Sequence, residues 1–247
     1  EVHCRLADTV STRKGGWDNV VLGAIAASVM AGSLLRLDQE RQANAIAIAA
    51  TGNVALMETR AGTISMWKAG AAAYAARAGI FAALHAGMGL TGPASALEGK
   101  YGLFKQVTGS SDAAAFQRDG GPWRSFDVHL KAFPAQYFSQ TAIEAALILR
   151  GRIEGAEIEK VVINTFEFGK VAAADTPEKW RPKTRETADH SMPYCVAVAF
   201  LDGHVGEAQF EPSRIVADDV QSLLQRIEVV EDTDLNPMYP EKVPSRI

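Results

Sequence analysis

The apolar positions of the first half of the chain recur at helical spacing and spread over more than one face. "WDNVVLGAIAASVMAGSLLRL" (17–37) predicts one helix. Asp38 is placed to cap the next, "DQERQANAIAIAA", in which Ala45, Ile46 and Ala49 form an apolar stripe. "AGAAAYAARAGIFAALHAG" (69–87) predicts a third, and the opening "EVHCRLADTV" has the pattern of a helix interior. So much Ala and Gly implies closely approaching helices. A helix apolar all round must be covered on all sides, so these helices are expected to need more partners than one another. "GMGLTGP" (87–93) stops the third helix.

A Gly/Ser/Asp-rich stretch, "KQVTGSSDAAAFQRDGGPW" (105–123), precedes a change of pattern near Ser125. Beyond it, "SQTAIEAALILRG" (139–151) predicts a helix with Thr141 and Glu144 at capping-box spacing and Gly151 as its stop. "EKVVINTFEFG" (159–169) is β-branched and aromatic, as a strand should be, and "DDVQSLLQRIEVVED" (218–232) predicts helix into strand. In "DHSMPYCVAVAFLDG" (189–203), Asp189 is expected as the N-cap of a core helix running through Tyr194 to Leu201. The pattern gives a helical region over residues 1–127 and an α+β region over 128–247.

Composition narrows the function class. The 247 residues are 47% hydrophobic and 22% charged with a net charge of -4, an ordinary globular balance without the basic footprint of a nucleic-acid binder. Cys4 and Cys195 cannot build a disulfide framework or hold an iron–sulfur cluster alone, which favours a reducing, cytoplasmic setting. The longest apolar runs are broken by Gly and Ser and fall short of a membrane span, and no secretory leader is visible. His3, His85, His129 and His204 lack metal-ligand spacing, so no metal and no other cofactor is expected.

"GMGLTG" matches a dinucleotide-binding pattern but follows an Ala-rich helix instead of a strand and precedes Pro93, so it is a helix stop. Lys68, in "SMWKAG", sits at the start of a very apolar helix, where the positive helix end disfavours it and an anionic ligand would offset the misfit. Lys131 stands just before Phe133-Pro134 in an extended turn, where an exposed lysine is the ordinary outcome. Asp189, His190 and Tyr194 place an acid, an imidazole and a phenol at the mouth of a buried helix. A plain helix start explains them, and so does an acid/base cluster facing an anionic substrate.

Taken together, "RKGGWDNVVLGAIAASVMAG", "TRAGTISMWKAGAAAYAARAGIFAALHAGMGLTGP", "KAFPAQYFSQTAIEAAL", "DHSMPYCVAVAFLDG" and "EDTDLNPMYPEK" resemble, in order, the 2-methylcitrate dehydratase or MmgE/PrpD family. The family also holds cis-aconitate decarboxylases and an iminodisuccinate epimerase, and "FPAQYFSQTAIEAA" is more similar to the dehydratases. The resemblance implies a large all-helical domain plus an α+β lid with the active site between them, a homodimer, metal-free chemistry and a small di- or tricarboxylate substrate, in propionate catabolism. It places two family lysines on Lys68 and Lys131 and the family tyrosine on Tyr194, beside the motif histidine His190. Gln136 falls where decarboxylases carry a histidine and dehydratases an acid or amide. Tyr74 replaces an asparagine common in the lysine helix.

The implied reaction is loss of water from 2-methylcitrate or a close relative. Lys68 and Lys131 would hold carboxylates, Gln136 would orient the hydroxyl, and His190 and Tyr194 would move protons. The alternatives are decarboxylation or epimerisation of another small polycarboxylate, or a non-catalytic partner subunit. The family also carries a long N-terminal helical segment with an Asp/Thr/His group, and closing C-terminal helices. Neither has a counterpart in these residues, so the chain is expected to be either a fragment or one of two polypeptides, the second supplying those helices as a partner; no nucleic acid and no membrane is an expected partner.

Overall fold

The computed structural model of the protein describes residues 1–108, 121–153 and 155–247. Most of the glycine- and serine-rich stretch expected to link the two halves, residues 109–120, lies outside the described residues. The chain divides into two compact units, one of Glu1–Ala61 and Met66–His129 and a second of Gly62–Ser65 and Leu130–Ile247.

The first unit is helical: α1 (Val2–Thr9), α2 (Val21–Leu34), α3 (Gln39–Gly52), α4 (Trp67–Gly87) and α5 (Leu103–Thr108). Asp38 caps α3 as expected, its carboxylate accepting the Arg41 N–H at 2.8 Å. The long helix expected from Trp17 starts only at Val21. Trp17 instead bridges to Leu56, and buried Asp18 takes a two-pronged contact from Arg60 at 2.6 and 3.0 Å, which ties the chain after α3 to the start of α2.

The small residues let α2, α3 and α4 close on one another. A Cβ on Gly79 of α4 would lie 2.3 Å from the Ala24 carbonyl oxygen and 2.7 Å from the Ser28 nitrogen of α2, so only glycine fits that crossing. Ala24, Ala49, Ala75 and Ala82 pack together around it. The outer side of α4 stays apolar and open, with Trp67, Tyr74, Phe81 and Met88 exposed at heptad spacing. At its end, Gly89 takes φ +97°, so "GMGLTGP" is a helix stop.

The second unit is mixed. Its helices are α6 (Gln140–Ile153), α7 (Glu167–Ala174), α8 (Pro177–Trp180), α9 (Arg185–Ala188), α10 (Met192–Asp202), α11 (Pro212–Ile215) and α12 (Asp218–Leu224). Strands β1 (Val161–Thr165), β2 (Ile227–Glu231) and β3 (Ser245–Arg246) form a sheet of order β2-β1-β3. β1 runs parallel to β2 with Val161 opposite Ile227, and antiparallel to β3. Helix α10 is the hub: Met192 and Tyr194 through Ala199 are fully buried, packed against α6, α12 and β2.

Three local expectations change. The strand expected over 159–169 covers only Val161–Thr165, because Phe166 turns the chain and Glu167 begins α7. Thr141 lies inside α6, bonded to Ser245 Oγ at 3.1 Å instead of capping, and α6 runs past Gly151 to Ile153. The N-cap of α10 is Ser191, not Asp189: its hydroxyl oxygen accepts the Tyr194 N–H at 3.1 Å, while Asp189 still has helical dihedrals at the end of α9. Gly203, at φ +71°, closes α10. Among the described residues no helix is long and apolar enough to cross a membrane.

Candidate active site

The loop that carries Lys131 is shaped by Gln140. The carboxamide of Gln140 accepts the Phe133 N–H at 2.9 Å and donates to the Phe133 and Ala135 carbonyls at 3.1 and 3.3 Å. Lys131 is exposed and folds its ammonium onto the same Ala135 carbonyl at 3.0 Å. Among the described residues it has no carboxylate within ion-pair distance, so its charge is available to an anion.

Gln136 is buried, and its side-chain oxygen accepts the Phe138 N–H at 2.6 Å. Among the described residues the two N–H donors of the amide have no hydrogen-bond partner, so they can meet a ligand oxygen. Phe138 in turn stands edge-on to Phe166, which stacks on Tyr239 with centroids 4.9 Å apart. The loop therefore rests on a packed aromatic base.

The Asp189–His190 turn comes to this loop through the backbone: the Gln136 N–H donates to the Asp189 carbonyl at 2.7 Å. His190 is mostly buried and its Nδ1 pairs with the Asp189 carboxylate. Among the described residues its Nε2 has no hydrogen-bond partner. Further ties hold the turn. The His190 N–H donates to the Thr187 carbonyl at 3.2 Å, and the Ser191 hydroxyl donates to the carbonyl of Lys179. Lys179 is itself buried and neutralised, 2.5 Å from Asp175 and 3.0 Å from the Ala172 carbonyl. Ile64, from the short 62–65 segment of this unit, donates its N–H to Thr187 Oγ1 at 3.2 Å.

Tyr194 does not share this exposure. It is 0% exposed, its hydroxyl donates to the Gln209 carbonyl, and its ring lies 5.9 Å from that of Phe210. Burial pushes its phenol above the ordinary tyrosine range. The expected proton-transfer role for Tyr194 thus lacks geometric support, because the group is sealed in the core and already bonded. Lys68 belongs to the first unit, half-buried in the first turn of α4, four residues after Ile64 in the chain. Tyr74, on the same helix, stands edge-on to Trp67 with Arg77 4.8 Å above its ring.

The second unit thus brings Lys131, Gln136 and His190 around one backbone contact. Sequence patterning missed that Asp189 would pair with His190 and that Ser191 would cap α10. The signal was present, since Pro193 within the first turn of a helix calls for a cap immediately before that turn. A separate cleft of about 570 Å3, lined by Arg150, Phe200, Asp219 and Arg226, does not include these residues. Both of its arginines are bonded to backbone carbonyls, of Phe200 and Ile158. No group of three or more His, Cys, Asp or Glu side chains that could hold a metal occurs among the described residues.

Two family models match the chain, the MmgE/PrpD N-terminal domain over residues 1–115 and the MmgE/PrpD C-terminal domain over residues 133–247. The chain is 31% identical over 245 residues to 2-methylcitrate dehydratase of Escherichia coli K12, covering 94% of this chain and 49% of that protein. It is 32% identical over 240 residues to 2-methylcitrate dehydratase of Salmonella typhimurium, covering 92% and 48%. It is 27% identical over 223 residues to a fungal alkylcitrate dehydratase, covering 88% and 43%. The chain spans about half the length of the curated relatives it matches. With both family domains matched in order along its length, the chain belongs to the MmgE/PrpD family.

Proposed function

We propose that this chain carries acid/base machinery of a hydro-lyase that removes water from 2-methylcitrate or a closely related small tricarboxylate. The observation that carries the reading is the Gln136 N–H bond to the Asp189 carbonyl, which gathers a cation, an amide and an imidazole into one unit. Support for the substrate class comes from relatives named 2-methylcitrate and alkylcitrate dehydratases.

Dehydration breaks a C–H bond next to a carboxylate and a C–O bond to a hydroxyl, and forms a C=C bond. The proton is poorly acidic because its removal puts a second negative charge on a carboxylate that is already anionic. Lys131 lowers that barrier by facing a carboxylate as its charge grows. Lys68, from the first unit, is proposed as a second carboxylate ligand on the strength of the family resemblance. The Gln136 N–H donors orient the leaving hydroxyl. His190, through Nε2, takes the proton from carbon and then hands it to the departing hydroxyl, which leaves as water. All of these steps use side chains of this chain.

The test is to incubate the protein with 2-methylcitrate, citrate and cis-aconitate while following enoate absorbance and evolved CO2. Absorbance gain with 2-methylcitrate and without gas supports a dehydratase. Release of CO2 from cis-aconitate would replace it with a decarboxylase, and turnover of none of the three by the folded protein together with any co-purifying chain would refute both.

A further inference from the structure

We infer that Asp189 is the positioning residue of the site, fixing which nitrogen of His190 is available for proton transfer; the inference rests on the proposed role of His190. Two observations meet at this residue. Its carboxylate pairs with His190 Nδ1, and its own carbonyl is docked on the Gln136 N–H at 2.7 Å. A carboxylate only accepts, so the Nδ1 it contacts carries the proton. The neutral ring is then the Nδ1–H tautomer, and Nε2 holds the lone pair. Nε2 is also the nitrogen with no partner among the described residues.

The carbonyl bond adds a second constraint. Asp189 cannot swing its side chain by shifting the turn without breaking the contact to Gln136, the amide proposed to orient the leaving hydroxyl. One residue thereby sets the tautomer of the imidazole and its register against the Lys131–Gln136 loop. The Thr187 carbonyl and Ser191 hydroxyl bonds hold the backbone on either side, so the pairing does not depend on a loose loop.

The experiment is ring 15N NMR on the histidine-labelled full chain at a pH where His190 is neutral, with its signals assigned by loss in His190→Gln. The expected wild-type pattern is a protonated Nδ1 and a bare Nε2. Asp189→Asn offers N–H as well as C=O to the ring, so Nε2–H tautomer should build up, with kcat falling about 10²–10⁴-fold, the scale of one acid/base group. Wild-type His190 found as the Nε2–H form would overturn the inference whatever the variant does. So would an unchanged tautomer in a folded Asp189→Asn protein. If the tautomers behave as expected but no tricarboxylate is turned over, the positioning stands and the hydro-lyase reading fails.

Discussion

Gln136 and Asp189 meet main chain to main chain, the amide N–H of one 2.7 Å from the carbonyl oxygen of the other. Neither side chain is used in that bond, so both remain free for other work: the Gln136 amide is braced by Phe138 and the Asp189 carboxylate by His190. A backbone tie of this kind survives substitution of either side chain. The residues around it can therefore be changed singly without moving the loop and the turn apart, which makes the site open to mutational test.

Lys131→Ala should lower kcat/KM by about 2–4 kcal/mol of transition-state stabilisation, the cost of losing one well-placed electrostatic donor. Because Lys131 is exposed and bonds only the Ala135 carbonyl among the described residues, the melting temperature should move little. Steady-state kinetics beside a thermal melt will check this, and wild-type kcat/KM in the variant would remove Lys131 from the chemistry. The same pair of measurements applies to Lys68→Ala.

Tyr194→Phe should behave in the opposite way. The variant keeps the ring in its packed place and leaves the Gln209 carbonyl without its donor, a loss of about 1–2 kcal/mol of stability. Activity per folded molecule should stay unchanged. A urea titration showing full stability together with a large fall in kcat would return Tyr194 to the catalytic group.

Two glycines predict opposite signs. Gly79→Ala pushes a methyl against the Ala24 carbonyl of α2 and should cost roughly 1–3 kcal/mol or prevent folding. Gly151→Ala meets nothing within 4 Å inside α6 and should stabilise by about 0.5–1 kcal/mol. Equal melting temperatures for the two variants would contradict the helix crossing, the extent of α6, or both.

The acid limb of stability should contain a contribution from Asp219. The hydrogen bond from Arg214, 2.7 Å away, holds its carboxyl below the usual aspartate value. A depressed native pKa means the unfolded chain binds more protons between the two values. The contribution is therefore fully present above about pH 4, the ordinary aspartate value, and is lost as pH falls through the lower native one. Urea midpoints of wild type and Asp219→Asn should differ at pH 6 and converge towards pH 3. A gap that stays constant would exclude this linkage.

The proposed elimination uses only side chains, so kcat/KM should be unchanged after EDTA treatment and desalting. Activity abolished by chelation and restored by one divalent ion would require a ligand set different from the residues proposed above.

The sequence alone determined the features whose causes are local. Helical spacing and a well-placed acid specify α3 and its Asp38 cap, and the β-branched run specifies β1. It also showed that α2, α3 and α4 must approach closely, because Ala and Gly recur along all three. What it left open depends on contacts between distant segments. An all-apolar helix such as α10 carries no periodic mark of which side faces a core, so the sealing of Tyr194 became visible only when Gln209 and Phe210 were folded over it. Asp189 reads as an N-cap until Ser191 takes that place, and then its carboxylate is released to His190. The parallel register of β1 with β2, the Ile64 tie to Thr187 and the Gln136 contact with Asp189 each join segments far apart in the chain. Their closure entropy is repaid by the packing of the whole unit and not by any local preference, which is why tertiary structure alone could decide them.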